Sequence, residues 1–133
     1  MTRLKSRKRF SKKEIASLFD RWNKSLKSGD PDQVVKNYAK NSILLATLAN
    51  KPRLTVAEKR SYFKSFLINK PSGKINYRKI EVGYDTAMDA GVYTFTFAKT
   101  KAVVKARYTF TYRFNNNKWL ITSHHSSRMP EDN

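Results

Sequence analysis

Between residues 108 and 114 every second side chain is aromatic: Tyr108, Phe110, Tyr112 and Phe114. The residues between and before them, Arg107, Thr109, Thr111 and Arg113, are polar. A period of two marks a strand with two unlike faces, because successive side chains project to opposite sides. Asn115, Asn116 and Asn117 follow, and asparagine tolerates the positive φ of a tight turn. A second strand over residues 119–127 then carries the chain's histidines, His124 and His125. The aromatic face of this hairpin has to be covered, and the first half of the chain provides the cover.

That half reads as helices. Ser11 and Glu14 have capping-box spacing, and Ile15, Leu18, Phe19, Trp22 and Leu26 follow as one apolar stripe ending at Gly29. Asp30, Pro31 and Gln33 predict a second N-terminus with a capping box, leading into a short helix that buries Val34, Val35 and Tyr38. The apolar run 42–49 is too short for a helix and reads as a buried strand. Thr55 and Glu58 cap a third helix with Tyr62, Phe63, Phe66 and Leu67 on its stripe, broken at residues 70–73. Strands are predicted over 74–82 and 87–97 before the hairpin. Helices first and a meander last predict an α+β fold, with helices on one face of a curled, mainly antiparallel sheet. Such a sheet leaves a conical cavity.

Charge sets the surface. The chain carries 28 basic and 10 acidic residues, a formal +18. Arg3, Lys5, Arg7, Lys8, Arg9, Lys12 and Lys13 crowd the start with no acid among them. Residues 1–10 are expected to be a disordered basic arm, and residues 11–130 a single domain. The field attracts nucleic acid, an acidic partner or an anionic surface without specifying which. There is no cysteine, no apolar run long enough to span a bilayer and no apolar core to a secretory signal, so a cytoplasmic protein is expected.

The candidate chemistry is sparse. His124 and His125 are strand neighbours, so they point to opposite faces; both stand as pocket candidates, and a metal site from such a pair is not expected. Asp89 is the acid best placed to face the cavity from a strand, opening the option of an Asp–His pair. Trp22, Tyr62, Tyr93 and Tyr112 combine a ring with a polar handle and suit a pocket lining. Lys105, Arg107, Tyr108, Phe110 and Arg113 together have the makings of a basic, ring-bearing platform for single-stranded nucleic acid, but the same rings are needed as core or interface, and a solvated basic face is the favoured account.

The phrases KKEIASLFDRWNKSLKSGDPD, RSYFKSFL and KWLITSHHSS, in this element order, resemble the NTF2-like superfamily. Within it they are most similar to the association (hub) domain of calcium/calmodulin-dependent protein kinase type II and its free-standing, SnoaL-like relatives. The likeness runs from about Ser11 to Pro130, and no kinase signature accompanies it. It implies an NTF2-like cone, a homo-oligomer (a dimer or a ring of dimers), and a pocket for a small carboxylate-like ligand, with no cofactor. The pocket would draw on Trp22, Tyr62, Tyr93, Arg107, Tyr112, His124 and His125. The family's pocket arginines are not matched in place: ungapped alignment back from Trp119 sets Tyr93 and Phe110 at two of their positions. Arg107 is the nearest basic residue, with strand parity opposite to Phe110. The open sheet face, with Thr109, Thr111 and Arg113, is the expected subunit interface. A non-catalytic hub domain is the reading this supports. A small-molecule enzyme of the ketosteroid isomerase or polyketide cyclase type is the alternative, and a basic nucleic-acid-binding module the second.

Overall fold

The helices begin where side chains satisfy the free N–H groups of a first turn. The structure, a computed structural model, describes residues 10–47 and 49–130, so the expected disordered arm lies outside the described residues apart from Phe10. Helix α1 (Lys12–Lys27) opens on a capping box: Glu14 N–H donates to Ser11 Oγ at 3.1 Å, and Ser11 N–H to Glu14 Oε1 at 2.8 Å. Gly29 follows its end at φ +72°, a left-handed conformation that glycine adopts without strain. Helix α3 (Val56–Phe66) has the same box, from Thr55 and Glu58.

Helix α2 (Pro31–Val35) departs from expectation. Asp30 caps it by accepting from Asp32 N–H at 2.9 Å, and Gln33 closes no capping box. The helix stops at Val35 because Asn37 turns inward. Its amide donates to Val34 O and Ser25 Oγ, and its own carbonyl accepts from Ile121 N–H. Tyr38, expected on the helix, therefore opens strand β1 (Tyr38–Leu45).

After α3 and a 3-10 turn at Leu67–Asn69 come strands β2 (Pro71–Val82), β3 (Thr86–Phe97), β4 (Ala102–Asn115) and β5 (Lys118–Arg128). Residues 71–73, expected to be only a break, are already strand. Asn23 explains this: its side chain bonds both to the carbonyl and to the N–H of Gly73, at 2.9 and 2.8 Å, docking α1 onto β2. The β4–β5 turn is made by Asn116 and Asn117 at φ 53° and 64°, as the asparagine run predicts. The sheet order is β1-β5-β4-β3-β2, antiparallel except for the parallel β1–β5 pair.

Pairing divides the sheet into two faces. The inner face presents Tyr93, Phe95, Tyr108, Phe110 and Tyr112 to Phe19 and Trp22 of α1. Burying rings of this size stabilises by roughly 2–3 kcal/mol each, which makes the α1–sheet contact the main apolar term. A register shift in β5, opposite Thr111 and Tyr112, then matters for the site. Counting by twos from Trp119 and Ile121 would bring His125 inward. The extra residue reverses the parity, so His124 faces the core.

A second irregularity lies between Ile75 and Tyr77 of β2, opposite Val92 and Tyr93. It presses the backbone of Tyr77 onto Gly91, where a Cβ would stand 1.9 Å from the Tyr77 carbonyl oxygen. Only glycine fits there. Gly91→Ala is expected to destabilise the fold by about 3 kcal/mol or more. Urea unfolding of the two proteins measures it, and a loss below about 1 kcal/mol would mean that the strands are not pressed together there.

Candidate functional site

The cone holds a cavity of about 400 Å³ between α1, α3 and the inner face of the sheet. Trp22, Tyr62, Phe66, Tyr93 and Phe95 form most of its apolar wall; Thr47, Ser65, Thr100 and Ser126 supply hydroxyls and Asn69 an amide. No charged side chain is among its lining residues. Burial pushes the Tyr62 phenol up to about 12, with Arg53 drawing it partly back, so Tyr62 is a neutral donor at any physiological pH.

Behind this wall runs a buried chain of hydrogen bonds whose direction follows from its donors. The Trp22 indole N–H can only donate, and it gives its hydrogen to Tyr38 Oη at 3.1 Å. Tyr38 then has one hydrogen to give, and its next neighbour is His124 Nδ1 at 2.8 Å. Nδ1 is thus the bare nitrogen, and Nε2–H donates to Tyr93 Oη at 3.2 Å. Tyr93 donates onward to Ser126 Oγ at 2.7 Å, which also receives Thr47 Oγ1 at 2.7 Å. Two hydroxyl hydrogens meet at the Ser126–Thr47 pair. The Thr47 hydrogen lies between the two oxygens, and Ser126, which accepts twice and lines the cavity, keeps its own hydrogen to give. The relay therefore ends in a hydroxyl donor at the cavity wall, which also carries the Tyr62 hydroxyl and the polar side chains of Ser65, Asn69 and Thr100.

His124 is only 4% exposed and stacks on Phe110 at 4.0 Å between ring centroids. Burial, and secondarily the nearby His125, lower its pKa to about 3, so the ring is neutral. Tyr38 and Tyr93 are both raised above the ordinary tyrosine value, chiefly by burial. Every member of the relay is uncharged.

Asp89 does face inward and is fully buried, but it does not meet His124. Arg78 holds its carboxylate at 2.7 and 3.3 Å, and the Tyr108 hydroxyl donates to it at 2.8 Å. Burial alone would lower the Arg78 pKa; the carboxylate more than offsets that and raises it. With both His124 nitrogens taken by tyrosines and Asp89 taken by Arg78 and Tyr108, no Asp–His pair forms.

The other candidates separate cleanly. Trp22, Tyr62 and Tyr93 line the cavity. Tyr112 is buried on the inner face away from it, its hydroxyl without a hydrogen-bond partner among the described residues. Arg107 and His125 are exposed on the outer sheet face, so neither reaches the cone; strand parity sends them outward. Thr109 and Thr111 are half-buried on that same outer face, and Arg113 is exposed there. Tyr108 and Phe110 are core residues with their faces covered by neighbouring rings, as the core reading of these rings expects, and neither is exposed to stack on a base. Tyr38, Ser126 and Thr47 are site residues that the pattern did not mark. Among the described residues no His, Asp or Glu cluster is suited to hold a metal ion, and no helix is long and apolar enough to cross a membrane.

A curled sheet wrapped on a long first helix, with an aromatic cone, is the NTF2-like architecture. Solved structures agree. An NTF2-like protein from Pseudomonas putida KT2440 superposes at TM-score 0.76 with 15% identity, over 90% of this chain and 87% of that one. A Parabacteroides distasonis protein assigned as a ketosteroid isomerase does so at 0.69 with 21% identity, over 89% and 87%. Both speak to the fold alone. A Xanthomonas campestris protein described as a calcium/calmodulin-dependent protein kinase II association domain is nearer, at TM-score 0.89 and 46% identity over 92% of this chain and 91% of that one. The family model of the calcium/calmodulin-dependent protein kinase II association domain matches residues 11–130. The chain belongs to that family. No curated protein matches its sequence.

The neutral histidine has a consequence for stability. His124 titrates at about 3 when folded against an ordinary value of 6.5. Between these values the unfolded chain binds the extra proton, so stability is fully present above about 6.5 and is lost as pH falls. From pH 7 to pH 5 the loss from this group is about 2 kcal/mol. Urea unfolding at the two pH values is expected to show it in the parent and to show a flatter dependence in His124→Gln. Equal dependence in both would place the titration elsewhere.

Proposed function

We propose that this chain is a non-catalytic, self-associating hub domain whose cone holds a small, largely apolar ligand. Membership of the association-domain family carries the reading of self-association. The outer sheet face supports it. Pairing brings Ile43, Leu45, Met88, Ala90, Val92 and Leu120 to that side, around Thr109 and Thr111. Tyr77 and Val103 stand at 67% and 65% exposure on it. An open sheet face this apolar is commonly closed by a second copy, and a two-fold axis lets one patch serve both subunits. Arg107 and Arg113 at its border, with +18 on every chain, oppose the contact by charge repulsion. The partner face is therefore the same apolar stripe, and its stability rises as salt screens the charge.

The ligand reading follows from the lining. A carboxylate, which the family likeness implied, would lack a cation in this cavity. An uncharged molecule with an apolar body and a few hydrogen-bonding atoms suits this lining better, with Ser126 and Tyr62 as donors to it.

Native mass spectrometry and light scattering test both parts. The protein is expected to be a dimer or larger, with the assembled fraction growing from about 0.01 to about 1 M salt as the screening length falls from about 30 to about 3 Å. Thr109→Arg with Thr111→Arg is expected to give a folded monomer. A monodisperse parent monomer at every ionic strength would contradict the hub. A co-purified acidic compound in the cone would contradict the ligand class.

A further inference from the structure

Outside the cone, α1, α2 and the β4–β5 hairpin border a second cleft, of about 380 Å³. Its charged lining residues are Arg21, Lys24, Lys36 and Lys118, and no acid is among them. None of these cations has a carboxylate within 4.0 Å among the described residues. Arg21 forms the floor. Its Nε–H donates to Asn37 Oδ1 at 2.9 Å and its Nη2 to the Trp119 carbonyl at 2.9 Å. The guanidinium is thereby fixed in place, half-buried, with its Nη1 hydrogens uncommitted among the described residues. Asn37 is in turn held by Ser25 Oγ and Val34 O, so the floor is rigid before any ligand arrives. Gln33 adds a side-chain amide at the rim.

A structural account covers only part of this. The carbonyl end of α1 carries about half a negative charge, and Lys24 sits in that last turn. Lys24 can answer the dipole, but Arg21, Lys36 and Lys118 then still converge without an opposite charge. Surface lysines ordinarily spread apart, because mutual repulsion is not compensated. Here the backbone of α2 and the hairpin turn set Lys36 and Lys118 beside the anchored arginine. A fixed fork of N–H donors with mobile ammonium groups around it is the donor set that phosphoryl oxygens match.

We propose that this cleft binds a multiply charged phosphate anion. A lone carboxylate would satisfy Arg21 and leave the lysines repelling one another. A di- or triphosphate spreads its charge over oxygens that reach all of them. A free phosphorylated compound and the phosphate backbone of a nucleic acid present the same chemistry to these residues. The proposal stands independently of the hub reading, since the cleft lies on neither the cone nor the outer sheet face.

Inorganic pyrophosphate titrated into the whole protein by calorimetry, at near-physiological salt, is the test. Saturable binding is expected, and Lys24→Gln with Lys118→Gln is expected to weaken it about tenfold or more. Lys64→Gln with Lys99→Gln removes the same charge from exposed positions outside the cleft and is expected to change it less than about twofold. A short single-stranded oligonucleotide that displaces pyrophosphate, and depends on the same two lysines, would assign the phosphate to a nucleic-acid backbone. One that leaves pyrophosphate bound would assign it to free phosphorylated compounds. Absence of saturable pyrophosphate binding, or equal weakening in the two double variants, would overturn the site and leave only a diffuse positive field.

Discussion

The cone is organised around one uncharged imidazole. His124 sits between two tyrosines, and each of its nitrogens is committed by the other groups in the chain of donors. The relay ties α1 through Trp22, β1 through Tyr38, β3 through Tyr93 and β5 through Ser126. Its members are buried and polar, so each broken link leaves an unpaired group costing about 1–3 kcal/mol. An apolar core tolerates many packings; a fully satisfied polar chain tolerates few, because every hydrogen has one destination. The rings packed on it, Phe110 stacked against His124 and Trp22 edge-on to Phe95, are held by the same chain.

The two faces of the sheet have opposite tasks. On the inner face, among the described residues, buried charge is confined to Asp89 with Arg78, matched by two guanidinium bonds and a tyrosine hydroxyl. Outside, the apolar stripe lies among arginines and lysines. Under the proposed self-association, a chain of +18 that presents such a stripe sets hydrophobic closure against repulsion, a balance that ionic conditions would shift. A cluster of cations fixed at the α1–α2–hairpin cleft adds a place where anions can lower the repulsion locally.

Much of the architecture was legible in the residues. Capping boxes marked α1 and α3, the asparagine run marked the last turn, and period-two aromatics marked the inner face of β4. The family phrases pointed to the cone, and the family match bears that out. What stayed hidden depends on irregularities that leave no trace in a sequence pattern. The shifted register in β5 decides which of two adjacent histidines faces inward. The interrupted pairing of β1 between Tyr38 and Ile43 erases the alternation that would have shown Tyr38 as a strand residue. Gly91 reads as a plain strand glycine until the β2 irregularity brings Tyr77 onto it. Arg107 was drawn toward the pocket by the family likeness, against its own parity, and parity prevailed.

The relay's direction can be read at the ring itself. Long-range proton–nitrogen NMR of the histidine side chains distinguishes bare, protonated and charged nitrogens. For His124 the hydrogen is expected on Nε2, with Nδ1 bare, unchanged as the pH is lowered from 7 to 5, while exposed His125 serves as the internal comparison. A hydrogen on Nδ1, or a His124 ring that becomes charged near pH 6, would contradict the neutral, one-directional chain on which this account of the cone depends.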